Sequence, residues 1–360
     1  MGNINLREDI LKIDQENVLG SVESLSEQIT HAWEEASKVE VPNDYQNVDN
    51  LVMCGMGGSG LAARVIQSVF YEQLKLPLTR VNNYDLPSFV NQNSLVVCSS
   101  YSGNTEEAVQ NLNQALVKQA KILAIGAGGK LLEVAQQKNI PFYKIDPKFN
   151  PSNQPRMAIG YSVIGQLVLV SKAGIITLTQ KNIDSIINAM KSILEKIKVE
   201  VDESNNSAKQ LALEMKDKII AYIAAGHLVG SLHTVNNQLN ENAKNFSADF
   251  QVPELNHHLM EGLKHPSSNP QTLLAVIATS SLYSDRIRQR MEITQDVIKQ
   301  NKIESFSYQA TGIDKLSQNF ELIQFGAYAN LYLSILYDQN PAPIPWVDYF
   351  KTKLGQPLGK

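Results

Sequence analysis

An α/β fold with two doubly wound parallel sheets in tandem is the architecture this sequence predicts, and three observations predict it. Short apolar runs alternate with helix-like stretches through the first half of the 360-residue chain. Two of these runs break into loops rich in glycine and hydroxyl side chains where helices should start, the place where ligands sit in such sheets. The strand-turn-helix plan then begins afresh at Ile219. The two halves are expected at residues 1–175 and 176–360.

Val18–Ala36 reads as a helix. Strands are expected at Asn50–Cys54, Leu78–Val81, Leu95–Cys98 and Ile122–Ile125, with a shorter one at Phe142–Ile145. The continuous apolar, β-branched character of Leu95–Cys98 marks a buried strand, as in parallel sheets. Ala158–Val170 reads as an apolar helix, and the polar stretch Lys181–Lys218 as a helical connection between the halves with a solvated Glu/Lys face. In the second half, strands are expected at Ile219–Ala224, Leu273–Ala278 and Ile303–Tyr308, with a glycine-bearing turn at Gly226–Gly230. Its loops lack a double hydroxyl cluster, so a single anion site per chain is expected, supplied by the first half, with the second half contributing chemistry.

Composition removes several function classes. A hydrophobic content of 43% with 19% charged residues is ordinary for a globular protein. The net charge of −4 and the lack of a basic tract leave nucleic-acid binding without an electrostatic basis. No apolar stretch reaches the ~20 residues of a membrane span, and Met1–Lys12 has no apolar signal core, so a cytoplasmic protein is expected. Cys54 and Cys98 each close an apolar strand-like run and read as buried, reduced thiols.

The most informative segment is Leu95–Ala108, in which an apolar run opens into Ser100-Tyr101-Ser102-Gly103-Asn104-Thr105 before a helix. Three hydroxyls, a glycine and a helix N-terminus form a phosphate cradle. Leu51–Val65 is a second such junction, with Gly57, Gly58 and Ser59 at a helix start. Gly55, Gly57 and Gly60 also satisfy the dinucleotide fingerprint, but the next strand, Thr79–Asn83, ends without the carboxylate that a ribose needs. Neither glycine cluster is followed by the Gly-Lys-Ser/Thr of a nucleotide-binding P-loop. A third glycine turn, Gly126–Gly129, carries no hydroxyl and reads as packing.

Three further elements carry possible chemistry. Glu241 lies between two amides in Asn240-Glu241-Asn242-Ala243-Lys244 at the end of a helical stretch, and a buried Glu is a suitable base for moving a proton between adjacent carbons. His257 and His258 follow a Pro-marked turn, and imidazole exchanges protons near neutral pH. Arg156 in Gln154-Pro155-Arg156 offers a guanidinium that polarises an enediolate oxygen. Taken alone, each has a plainer reading: a surface helix residue, structural histidines and a surface charge.

The two hydroxyl-rich loops resemble the sugar isomerase (SIS) domain, whose phosphosugar site combines a glycine-serine turn with a Ser-x-Ser-Gly-x-Thr loop. With the Pro-Arg, Asn-Glu-Asn-Ala-Lys and Pro-Glu-Leu-Asn-His segments behind them in this order, nearly the whole chain resembles the bifunctional phosphoglucose/phosphomannose isomerase family. The resemblance implies two SIS-type, flavodoxin-like subdomains. It also implies an aldose-ketose isomerase that interconverts glucose 6-phosphate, and mannose 6-phosphate, with fructose 6-phosphate through a cis-enediolate. It assigns the base to Glu241, ring opening to His257, the electrophile to Arg156 and a C-terminal lysine to Lys351. Phosphate binding falls to Gly58, Ser59, Ser100, Ser102 and Thr105. Neither metal nor cofactor is needed, and a homodimer with shared sites is implied. Two choices stay open, His257 against His258 and Lys351 against Lys353, and spacing from Glu241 favours His257. Two other functions remain open: a metal-dependent phosphomannose isomerase using His257, His258, Glu261 and His265, or a non-catalytic phosphosugar sensor.

Overall fold

A computed structural model describes residues 2–355; the last part of the expected second half, 356–360, lies outside the described residues. The chain opens with α1 (Arg7–Ile13), α2 (Val18–Glu23) and α3 (Leu25–Ala36). The helix expected over Val18–Ala36 is thus broken at Ser24, which ends α2 with a bond from its N–H to the Gly20 carbonyl and starts α3. Serine suits such a cap better than a helix interior.

The first sheet follows as β1 (Asn50–Cys54), α4 (Leu61–Val69), β2 (Leu78–Val81), β3 (Ser94–Ser99), α5 (Glu106–Val117), β4 (Lys121–Gly126), α6 (Gly129–Gln137) and β5 (Phe142–Lys144). All strands are parallel, in the order β2-β1-β3-β4-β5. Winding reverses between β1 and β3, and this switch point opens a crevice at their carboxyl ends. Both hydroxyl-rich loops start there. Cys54 and Cys98 are register partners on these two strands, buried and not disulfide-bonded.

Next come α7 (Ile159–Lys172), α8 (Gln180–Ile197) and α9 (Ser207–Met215). The expected solvated connection over Lys181–Lys218 is instead these last two helices, each with a buried face. Ile183, Ile186, Met190, Ile193 and Ile197 recur at helical spacing along α8, a stripe that the surrounding polar residues obscure.

The second sheet contains β6 (Ile219–Ala225), α10 (Val229–Asn242), β7 (Ser247–Val252), α11 (Leu259–Gly262), α12 (Asn269–Thr272), β8 (Leu273–Ser280), α13 (Asp285–Gln300) and β9 (Glu304–Ala310), followed by α14 (Lys315–Leu336) and α15 (Pro345–Leu354). Its strands are parallel in the order β7-β6-β8-β9, the same winding on four strands. β7 is an addition to the strands expected from sequence. It is a partly exposed edge strand whose Ser-Ala-Asp-Phe-Gln-Val run lacks a continuous apolar signature.

The halves are interlaced. Ile4, Ile10, Val18 and Leu19 join the core around the second sheet, whereas Phe320 and Ile323 of α14 pack into the core of the first. α10 crosses α4 at Gly230, where a Cβ would lie 2.7 Å from the Arg64 carbonyl oxygen and from the Val65 backbone. Among the described residues no helix is long and apolar enough to cross a membrane. For Gly230→Ala, the helix-propensity gain of about 1 kcal/mol is outweighed by prising two backbones apart. Chemical denaturation is expected to show a net loss of about 1–2 kcal/mol.

Candidate active site

The loop after β3 is shaped from beneath by the turn after β4. Ser100 N–H donates to the Ile125 carbonyl at 3.0 Å, Ala127 N–H to the Tyr101 carbonyl at 2.9 Å and Leu131 N–H to the Gly103 carbonyl at 2.8 Å. Gly103 has φ +72°, and a Cβ there would lie 1.7 Å from the Gly128 carbonyl oxygen. The Gly126–Gly129 turn therefore serves packing, as expected.

Within the cradle each hydroxyl oxygen already has a partner. Ser59 Oγ accepts from Tyr101 N–H at 2.9 Å, Ser100 Oγ from Gly103 N–H at 3.0 Å and Ser102 Oγ from Asn104 N–H at 3.2 Å. Ser100 Oγ and Thr105 Oγ1 are 2.8 Å apart. Because these oxygens accept from the backbone, the O–H protons of Ser59 and Ser102, and one proton of the Ser100–Thr105 pair, are left to donate to an anion. Thr105 also precedes the first turn of α5, where the helix dipole favours negative charge. From behind, Gln166 of α7 donates to the Ser59 carbonyl at 3.1 Å and to Ser99 Oγ at 3.1 Å.

The cradle touches the segment that carries Arg156 directly. A Cβ on Gly58 would lie 3.1 Å from the Pro155 carbonyl oxygen and 3.4 Å from Arg156 Cα, so the glycine-serine turn rests on the Pro155–Arg156 backbone. Arg156 is 2% exposed, not the surface charge of the plainer reading. Its five N–H groups meet five acceptors. Nε donates to Asn242 Oδ1 at 2.5 Å, and Nη2 to the carbonyls of Pro341 at 2.8 Å and Ala342 at 2.7 Å. Nη1 donates to Gln154 Oε1 at 3.0 Å and to Glu241 Oε2 at 3.4 Å. Gln238, one turn before Glu241 on α10, donates to the Arg156 carbonyl at 2.9 Å. Tyr101 ties the cradle to the same segment through Asn153 and Asn150, each at 3.1 Å.

The Glu241 side chain is 31% exposed, near enough to solvent to meet a ligand and buried enough to be perturbed. Burial raises its carboxyl above the ordinary range, and the positive charges of Arg156, Lys351 and Lys244 offset part of that rise. Burial also lowers Arg156, and the Glu241 carboxylate opposes that shift. Lys351, on α15, thus lies within electrostatic reach of the carboxylate. Lys353 Nζ instead sits 5.6 Å from the centre of the Tyr349 ring.

The histidines are not brought to this cluster. His257 ends a short 3₁₀ turn, Glu254–His257, and His258 follows it; both are exposed, and neither forms a side-chain hydrogen bond to Arg156 or Glu241. His257, His258, Glu261 and His265 do not converge either: among the described residues no group of three or more His, Cys, Asp or Glu side chains could hold a metal ion.

The chain is 34% identical over 339 residues to a bifunctional phosphoglucose/phosphomannose isomerase of Caldicellulosiruptor bescii, covering 93% of this chain and 98% of that protein. The chain belongs to the bifunctional phosphoglucose/phosphomannose isomerase family. A member from Aquifex aeolicus is 26% identical over 89% of this chain and 94% of its own length. Residues 204–354 match the family described as bacterial phospho-glucose isomerase C-terminal SIS domain. A hypothetical protein of Thermus thermophilus shares the fold with a TM-score of 0.73 at 15% identity, covering 95% of this chain and 91% of that one.

Relative to the sequence reading, the structure adds Gln154, Gln238, Asn242 and Lys244 around the Arg156–Glu241 pair. Asn242 and Lys244 stood in the family motif without a role. Nothing in the sequence signalled the Pro341 and Ala342 carbonyls, because a backbone acceptor has no side-chain signature. Removing a positive charge near Glu241 raises its pKa further. In Lys351→Met the Glu241 carboxyl is therefore expected to titrate at higher pH than in the unaltered protein, read from its carboxyl ¹³C shift, whereas Lys353→Met leaves the titration in place.

Proposed function

We propose that this protein is an aldose-ketose isomerase that interconverts glucose 6-phosphate, and mannose 6-phosphate, with fructose 6-phosphate through a cis-enediolate. One observation carries the reading: the phosphate cradle at Gly58–Ser59 rests on the backbone of the arginine whose guanidinium meets Glu241. A hexose held by its phosphate in the first half therefore has its far end presented to a carboxylate of the second half. Binding energy from the remote phosphate then positions the reacting carbons.

In this mechanism the hydroxyls of Ser59, Ser100, Ser102 and Thr105, with the Gly58 turn, hold the phosphate. His257 opens the ring by moving a proton between the anomeric hydroxyl and the ring oxygen, with Lys351 near the same oxygens. Glu241 takes the proton from carbon 2 of the aldose and returns it to carbon 1 of the enediolate, while the hydroxyl proton on oxygen 2 passes to oxygen 1, giving the ketose. Its raised pKa suits a base that must also give the proton back. Arg156 stabilises the enediolate oxygen through Nη1, whose 3.4 Å bond to Glu241 is the longest of its five and the one a substrate oxygen most readily replaces. The exposed position of His257, away from its own chain's Glu241, supports its delivery to a neighbouring subunit's site, and hence a homodimer.

A coupled assay with the three hexose 6-phosphates tests the reaction. Glu241→Gln is expected to lower kcat by about 10²–10⁴-fold, the usual worth of general base catalysis, while the Kd for fructose 6-phosphate stays within a few-fold. Retained turnover would remove Glu241 as the base.

A further inference from the structure

We infer that Lys244 is a positioning residue for the isomerisation: together with Arg156 it clamps the Asn340–Ala342 turn to the end of α10 and so sets Lys351 beside Glu241. The catalytic part of this inference rests on the isomerase reading above; the clamp itself does not.

The need for a clamp comes from α15. Its Trp346, Tyr349, Phe350 and Leu354 side chains are exposed, Trp346 by 80%, so this ten-residue helix is not fixed by burying an apolar face within the chain. Helices this short are marginal without packing. Within the chain, its position comes from the turn that leads into it.

That turn is held by charge. Lys244 Nζ donates to the carbonyls of Asn340 at 3.0 Å and Pro341 at 3.1 Å, and to the Asn242 carbonyl in the last turn of α10 at 3.0 Å. All three ammonium donors are used, two of them on the turn. Arg156 Nη2 donates to the next carbonyls along, those of Pro341 and Ala342. Asn340 is steadied from the far side by its 2.7 Å bond to Glu16. Lys244 adopts φ +51°, folding the chain back after α10 so that its side chain returns across the helix end. Among the described residues its side-chain hydrogen bonds go to these three carbonyls, which distinguishes it from Arg156.

The charged groups that face Lys244 are Arg156, Glu241 and Glu16. Burial first, and Arg156 second, lower its ammonium to about 8, with Glu241 and Glu16 opposing. The clamp therefore loses its charge as pH rises through that value, whereas an arginine there would keep it.

Two readouts test the inference on the full chain: hydrogen exchange of the α15 amides, and kcat and KM for fructose 6-phosphate between pH 6 and 10. In Lys244→Met, α15 amides are expected to exchange faster and kcat to fall about tenfold or more, with KM changing less. Lys244→Arg is expected to recover most of kcat and to flatten the decline of kcat above pH 8. Lys244→Met combined with Lys351→Met should be no slower than Lys351→Met alone, since Lys244 acts through Lys351. Unchanged α15 exchange in a folded Lys244→Met protein overturns the clamp. Unchanged kcat, or a loss that adds in full to that of Lys351→Met, overturns its effect on catalysis. If the unaltered protein turns over none of the hexose 6-phosphates, the isomerase reading falls and exchange alone decides the clamp.

Discussion

A buried guanidinium with every N–H committed is the constraint on which the rest of this structure depends. Arg156 receives the glycine-serine turn on its backbone, holds the end of α10 through Asn242 and Glu241, and grips the turn before α15 through the Pro341 and Ala342 carbonyls. Three segments distant in sequence are thereby fixed around one side chain. Leaving such a buried charge without a partner costs about 3–5 kcal/mol, so each of these bonds enforces the others. The same desolvation that makes the pairing obligatory raises the Glu241 carboxyl above the ordinary carboxylate range. Structure and chemistry use one interaction.

The two halves share a winding plan but not a role. In the first, the switch point between β1 and β3 is left to hydroxyls and free helix-start geometry. In the second, the corresponding region between β6 and β8 is filled: buried His227 meets Gln318 at 2.8 Å, Ser280 donates to the same Gln318 oxygen at 2.6 Å, and Tyr283 donates to the Ala278 carbonyl at 3.3 Å. With its polar atoms satisfied by protein, that crevice is packed for stability. The second half instead lends α10, which crosses α4 at Gly230. Since α4 follows the Gly57–Gly60 turn and Glu241 lies in the last turn of α10, the closeness permitted by one glycine helps set the distance from the hydroxyl cradle to Glu241.

Much of this was legible in the sequence where local chemistry repeats along the chain. β1 and β2 have the expected bounds, and β3 and β4 extend them by a residue at each end; β1, β3 and β4 are interior strands of the sheet, where burial on both faces calls for an apolar run. The cradle was legible because Ser59, Ser100, Ser102 and Thr105 each need a hydroxyl at a fixed place in a turn. Three features were obscured. β7 is an edge strand with polar residues interleaved, α8 hides its apolar stripe among lysines and glutamates, and Arg156 looks like any surface arginine until the chain is folded. Roles that pass through backbone carbonyls, such as those of residues 340–342, leave no mark on side-chain identity at all.

The proposed isomerisation requires that the phosphate cradle and Glu241 address opposite ends of one sugar. A crystal structure of the Glu241→Gln protein with fructose 6-phosphate bound tests it most directly. The expected result has the phosphate on Ser59, Ser100, Ser102 and Thr105 and carbons 1 and 2 within about 4 Å of the residue 241 side chain, near-attack spacing for proton transfer. A sugar bound by these loops whose first two carbons point away from residue 241 and Arg156 would contradict it.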